Sequence, residues 1–264
     1  MNLPELERVI YERNPLVEVV CQLRFPPILK ISHQEPVEFQ DKIRLQYPLF
    51  EITQSQVPSE IVKVVQQFGL PLQSDIAYSF RSEDQKWHLS ITKDFIALTT
   101  SKYERYEQFK QRLKEAVEIF EKIYEPSFYT RVGLRYQDLI IRSNLELEDK
   151  NWSDLIAKHI ASELHDSELS SLIQTLSKNM VLKTEDVQVI LNHGLVTVKE
   201  PHKEDEVAYL FDADFYIEQK IKRDGNVWNV LDQFNKSARK LFRWSITDTL
   251  HKAMQPQRVD ETKV

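Results

Sequence analysis

Glycine is scarce in this chain: its 264 residues include only Gly69, Gly133, Gly194 and Gly225. A phosphate cradle needs clustered glycines so that backbone N–H groups can crowd onto the anion. Neither the P-loop spacing nor G-x-G-x-x-G occurs, which removes the usual nucleotide-hydrolysing and dinucleotide-binding classes. Cysteine is scarcer still. The single Cys21 cannot close an internal disulfide, and one thiol cannot build a cysteine-based zinc site. No apolar run approaches the roughly 20 residues that span a bilayer. The first fifteen residues are charged from Glu5 onward and carry no apolar h-region, so no secretory signal is expected. The expectation is a cytoplasmic protein without membrane association and without a cofactor.

Other catalytic signatures are missing too. No G-x-S-x-G nucleophile elbow is present. The seven histidines are scattered, and His159 and His165 stand six apart rather than at the i, i+4 spacing that places two ligands on one helix face. Cys21 falls in the apolar phase of a strand beside Val19 and Leu23, where a thiol is inert. A net charge of −6 argues against a surface that grips nucleic acid throughout. The charge is uneven, however. Lys220, Lys222, Arg223, Lys236, Arg239, Lys240 and Arg243 outweigh Asp224 and Asp232, while residues 146–168 are acidic.

What the chain does contain is an internal echo. Leu16–Phe25 (LVEVVCQLRF) alternates with period two and ends in Leu-Arg-Phe. Phe128–Tyr136 (FYTRVGLRY) ends in Leu-Arg-Tyr. Each is followed by a short helical stretch, a run of strands and a long amphipathic helix. In the first copy the strand candidates are 61–68, 75–80, 87–92 and 95–100. The helix over 103–124 carries Tyr106, Phe109, Leu113, Val117, Phe120 and Tyr124 at steps of three and four. In the second copy a helix follows at 152–160, a hairpin turns at Asn192-His193-Gly194, and a strand runs over 207–217. A final helix over 227–254 presents Leu231, Phe234, Ala238, Leu241, Ile246 and Leu250 on one side. The Leu-Arg echoes lie 111 residues apart and the Gln-Phe echoes at Phe109 and Phe234 lie 125 apart, so the second copy holds an insertion. The expected organisation is a first repeat over 1–126 with an N-terminal arm, a second over 127–255 with a helical insertion near 160–180, and a disordered tail over 256–264.

The fold class is therefore α+β: a duplicated β-α-β(3-4)-α repeat forming a curved antiparallel sheet with helices on one face. This order resembles the saddle of TATA-binding protein in topology alone, since no exposed phenylalanine pair matches its DNA wedges. At sequence level, Asn14-Pro15-Leu16-Val17-Glu18-Val19-Val20 with Gln22-Leu23-Arg24-Phe25 is similar to the opening of a sporadically distributed bacterial family of uncharacterised proteins of about this length. Arg131–Tyr136 and Phe211–Asp214 fit its pattern as well. The resemblance implies a bacterial cytoplasmic protein and no assigned activity.

Three groups of residues are candidates for a site. Arg131 and Arg135 share one strand face across Gly133, and Arg24 occupies the position equivalent to Arg135, so a row of guanidinia could dock a small anion or a partner's carboxylates. Asp212 and Asp214 share a face of the last strand. They could hold a metal in a hydrolase or nuclease, or pair with Arg131 and Arg135 in a cross-strand ladder. Trp228 with Arg239 and Arg243 marks the basic final helix as a contact surface, with Trp244 nearby. The leading expectation is a non-enzymatic accessory protein, of immunity, antitoxin or regulatory type, that binds a protein partner or a second copy of itself. The alternatives are an anion sensor built on the arginines and a metal-dependent hydrolase built on the aspartates. Nucleic acid ranks last as a partner.

Overall fold

A computed structural model describes residues 4, 7–54, 76–184, 186–199, 205–223 and 226–258. The elements begin with strand β1 (Val9–Tyr11), strand β2 (Leu16–Arg24), short helices α1 (Leu29–His33) and α2 (Val37–Ile43), and strand β3 (Leu49–Gln54). Strands β4 (Ile76–Arg81), β5 (Trp87–Ile91) and β6 (Phe95–Thr100) follow, then the long helix α3 (Tyr106–Tyr124). The C-terminal half runs β7 (Arg131–Ile140), α4 (Trp152–Leu155), β8 (Leu176–Lys183), β9 (Gln188–Val198), β10 (Glu206–Ile217), α5 (Asn226–Ser245), α6 (Asp248–Ala253) and β11 (Pro256–Arg258). Nine strands form one antiparallel sheet in the order β3-β4-β5-β6-β2-β7-β10-β9-β8, and β1 pairs with β11 in a separate ribbon. The fold is α+β with the helices on one face of the sheet. From the central pair β2 and β7 the order runs outward through β6, β5, β4 and β3 on one side and through β10, β9 and β8 on the other.

The chain condenses into two compact units. One comprises Val20–Val132 with Glu218–Val227, and the other comprises Met1–Val19, Gly133–Ile217 and Trp228–Val264. In the first, α3 buries Phe109, Leu113, Val117 and Phe120, the stripe that its spacing predicts. Phe120 meets Phe25 at 5.0 Å, and Phe39 of α2 meets Phe80 of β4 at 5.6 Å. Glu125 ends the helix in the left-handed conformation, donating its N–H to the Glu121 carbonyl, and Pro126 forbids continuation. Cys21 is wholly buried in this core. In the second unit, α5 lays Phe234 against Phe215 and Phe242 against Phe211.

Several local expectations are corrected. Asn192-His193-Gly194 is not a turn: β9 runs straight through it, with Gly194 opposite Leu210 on one side and Ser177 on the other. A Cβ at Gly194 would sit 1.9 Å from the Leu176 carbonyl oxygen, so the glycine marks close backbone approach within a sheet. The insertion near 160–180 is not helical beyond one 3-10 turn at Ser162–His165, and its end forms strand β8. The final helix breaks into two, because the Thr247 side chain accepts the Leu250 N–H and caps α6. The tail begins ordered, with Pro256–Arg258 paired to β1. The strand expected over 61–68 lies outside the described residues.

Candidate functional site

On the face of the sheet opposite the helices, the second unit carries a polar rung across its strands. Arg135 on β7 grips Asp212 on β10 through both ends of its fork: Nε donates to Oδ1 and Nη2 to Oδ2, each at 2.7 Å. The bidentate bonds hold the guanidinium firmly protonated, and Asp214 and Glu18 add to the negative field around it. Asp212 stands opposite Asn192, and Asn192 stands opposite Asn179, whose amide donates to it. Asp214 shares the face and has interactions of its own. The Asp212 side chain is only 5% exposed, so its oxygens are taken by arginine rather than offered to a metal. Among the described residues no three acids, histidines or cysteines gather into a metal site.

The arginine row does not act as one. Arg131 belongs to the first unit, where its Nη1 donates to Gln22 Oε1 at 3.3 Å. Arg24 pairs with Asp94 at 3.1 Å. Arg243 pairs with Asp248 and also donates to the Ile246 carbonyl, so it fixes the junction of α5 and α6. Arg239 is half-buried and has interactions of its own. Trp228 and Trp244 do not mark one surface. Sixteen residues at 3.6 per turn set them about 160° apart on α5, and Trp244 stacks on His159 at 3.8 Å.

Two buried polar groups were passed over in the sequence. Asp138 lies on the helix-facing side of β7, in phase with Val132, Leu134, Tyr136 and Ile140, and is 7% exposed. Burial, reinforced by the charge of Asp212, pushes its carboxyl up to about 8, so it is protonated at neutral pH. Tyr11 lies within its field and hydrogen-bonds His251 Nδ1 at 2.8 Å. A carboxylate in the apolar phase of an alternating strand is itself a readable signal.

His193 is the second. It is 3% exposed, its Nδ1 bonds the Tyr209 hydroxyl at 2.7 Å, and its Nε2 is buried without a partner. Burial pulls its pKa down to about 4, helped by nearby Lys178. A depressed value means the folded state resists protonation. The stability this contributes is complete above the unfolded value of 6.5 and is lost as pH falls to about 4. The expected loss is bounded by roughly 3 kcal/mol. Urea titrations between pH 7 and 4 should show this slope flattened in His193→Gln, and an unchanged slope would remove His193 as its cause.

The remaining feature is the edge strand β3. β3 is the outermost strand at one end of the described sheet, and the described residues stop at its end, Gln54, and resume at Ile76. Seven of the thirteen exposed large apolar side chains among the described residues fall within residues 29–76, and Leu49, Phe50 and Ile52 of β3 are 41–49% exposed. The opposite edge, β8, places Lys178 and Lys183 along its length. Lys178 is paired with Glu163 at 2.7 Å and Val181 of β8 is exposed, so the contrast is one of degree: β3 has only Glu51, paired with Arg81 at 3.3 Å, among three exposed apolar side chains.

No known protein-family model matches the chain, and no curated protein matches it in sequence.

Proposed function

We propose that this chain is a non-enzymatic bacterial accessory protein that acts by binding another protein, and that the contact is strand addition along β3, the outermost strand at one end of the described sheet. The observation that carries this reading is the contrast between the two sheet edges. An apolar sheet edge can template a partner's backbone: main-chain hydrogen bonds supply affinity and alternate side chains supply specificity. The arginine-row alternative loses support because Arg24 and Arg135 are held by Asp94 and Asp212. The hydrolase alternative loses support because Asp212 is bound on both oxygens.

The test uses the tagged full chain as bait in lysate of its own host, beside the variant Leu49→Lys/Ile52→Lys. Both side chains are nearly half exposed, so the fold tolerates the change. A stoichiometric partner captured by the wild type and reduced at least tenfold in the variant is the expected result. If the catch is identical for both, or if the wild type brings down only more copies of itself, strand addition by a different protein is wrong.

A further inference from the structure

Strand β8 closes the end of the sheet opposite β3, and the chain around it is described from Pro126 to Thr184 and from Asp186 to Lys199. All eight of its residues pair in register with β9, from Leu176 opposite Leu195 to Lys183 opposite Gln188, so the strand carries no bulge. Among the described residues, none bonds its backbone on the outer side. In an antiparallel ladder every second residue turns its N–H and C=O away from the paired neighbour, so β8 offers a regular row of donors and acceptors. Charge, proline or a bulge would blunt such an edge. Lys178 does not do so, because its ammonium is drawn back onto Glu163 at 2.7 Å and the Ile160 carbonyl at 3.1 Å. Lys183 stands at the very end of the strand, and Val181 is 59% exposed.

Two features say what this edge fits. The polar rung of Arg135, Asp212, Asn192 and Asn179 ends here, on an exposed asparagine. Asn179 commits one amide N–H to Asn192 Oδ1, which leaves its second N–H and its Oδ1 without a partner among the described residues. A primary amide with one donor and one acceptor unused is its own complement: two of them facing each other bond reciprocally. The strand is also self-complementary about this residue. Antiparallel pairing of two copies with Asn179 opposite Asn179 sets Ser177 opposite Val181, Leu176 opposite Leu182, Lys178 opposite Met180 and Thr175 opposite Lys183. Every such pair shares one face of the sheet, and no lysine meets a lysine.

We infer that β8 joins a second copy of this chain, strand to antiparallel strand, about a two-fold axis at Asn179. The contact is isologous, so each favourable pair occurs twice: Leu176 of one copy on Leu182 of the other, and Val181 on Ser177. The asparagine rung then runs on from one copy into the next. A strand of another sequence could use the backbone row but would not bring the matching amide to this position. One strand pair buries less than a standard interface, so the dimer exchanges with monomer at micromolar concentration. The inference goes beyond the strand-addition reading and does not rest on it, since β3 lies at the other end of the sheet.

The experiment is sedimentation velocity of the full chain over about a hundredfold range of concentration, up to roughly 200 µM. The mass should climb from monomer toward dimer. Asn179→Lys changes an exposed side chain and sets two ammonium groups face to face, with Cα atoms about 4.5–5.5 Å apart. It should weaken association at least tenfold with the circular dichroism spectrum unchanged. The same spacing suits a disulfide, so Asn179→Cys should cross-link two chains under mild oxidation, while Leu49→Cys at the other edge should not. The native Cys21 is buried and does not compete. Leu49→Lys/Ile52→Lys should dimerise like wild type, which separates this contact from that of β3. A monomer at every concentration overturns the inference. So does a dimer that Asn179→Lys leaves intact, or one that cross-links through Leu49→Cys and not through Asn179→Cys.

Discussion

Asp138→Asn is expected to make the protein more stable than wild type at neutral and alkaline pH, with the gap opening between about pH 4 and 8. The sign follows from the raised carboxyl pKa. The folded state holds the Asp138 proton up to about 8, while the unfolded chain releases it near 3.8. The contribution of the protonated side chain is therefore complete below 3.8, shrinks as pH rises and is lost above about 8. The displacement bounds the effect at roughly 6 kcal/mol, and relaxation around an ionised carboxylate will reduce it to a few. Asparagine keeps the size and the neutrality without the titration. Denaturant unfolding of both proteins from pH 4.5 to 9 measures the gap. Parallel profiles would show that Asp138 is hydrated well enough to ionise normally in the fold.

The second large effect concerns the Arg135–Asp212 pair. Arg135→Ala is expected to cost about 2–4 kcal/mol, because it leaves a carboxylate that is 5% exposed without its bidentate partner. The energy lost is mainly the penalty of an orphaned charge, not the worth of the pair. Replacing both residues, as Arg135→Leu/Asp212→Leu, should recover most of the loss, since an apolar pair of similar volume removes the desolvation problem altogether. A double-mutant cycle by chemical denaturation separates these terms. Near-additive losses would mean that Asp212 finds water or Asn192 once the arginine is gone.

Much of the architecture was readable because it is written in periodicities. The α3 stripe and the alternation of Leu16–Phe25 each report a buried face, and the α+β class with a large antiparallel sheet followed from them. The pairing of Asp212 with Arg135 was also within reach, since same-face residues on neighbouring strands meet once the strand order is known. Turn chemistry misled at Asn192-His193-Gly194. The tripeptide reads as a loop, yet the glycine is there because β8 lies so close that a side chain would strike its backbone. That reason comes from a strand 18 residues upstream, and no local pattern contains it. The apolar stripe runs unbroken past Thr247, so the cap that divides the last helix there leaves no mark in the periodicity. The groove at Arg112 was not legible at all. That groove, of about 600 Å³, is lined by the stretch between α2 and β3, the turn after β4, and the segment from Lys102 into the first half of α3, and nothing in the spacing of those segments says they converge.

The ribbon of β1 and β11 has a consequence for the order of assembly. The Tyr11 hydroxyl reaches His251 across 240 residues of chain, and among the described residues Val9–Tyr11 pairs with Pro256–Arg258 alone. During synthesis β1 emerges first and has no strand to bond until the residues around 258 have been made. Closing so long a loop early would be entropically unfavourable, and three paired residues give little in return. The ribbon thus forms last and opens first, so amide protons of Val9–Tyr11 should exchange ahead of those in β2, only a few residues further along the chain.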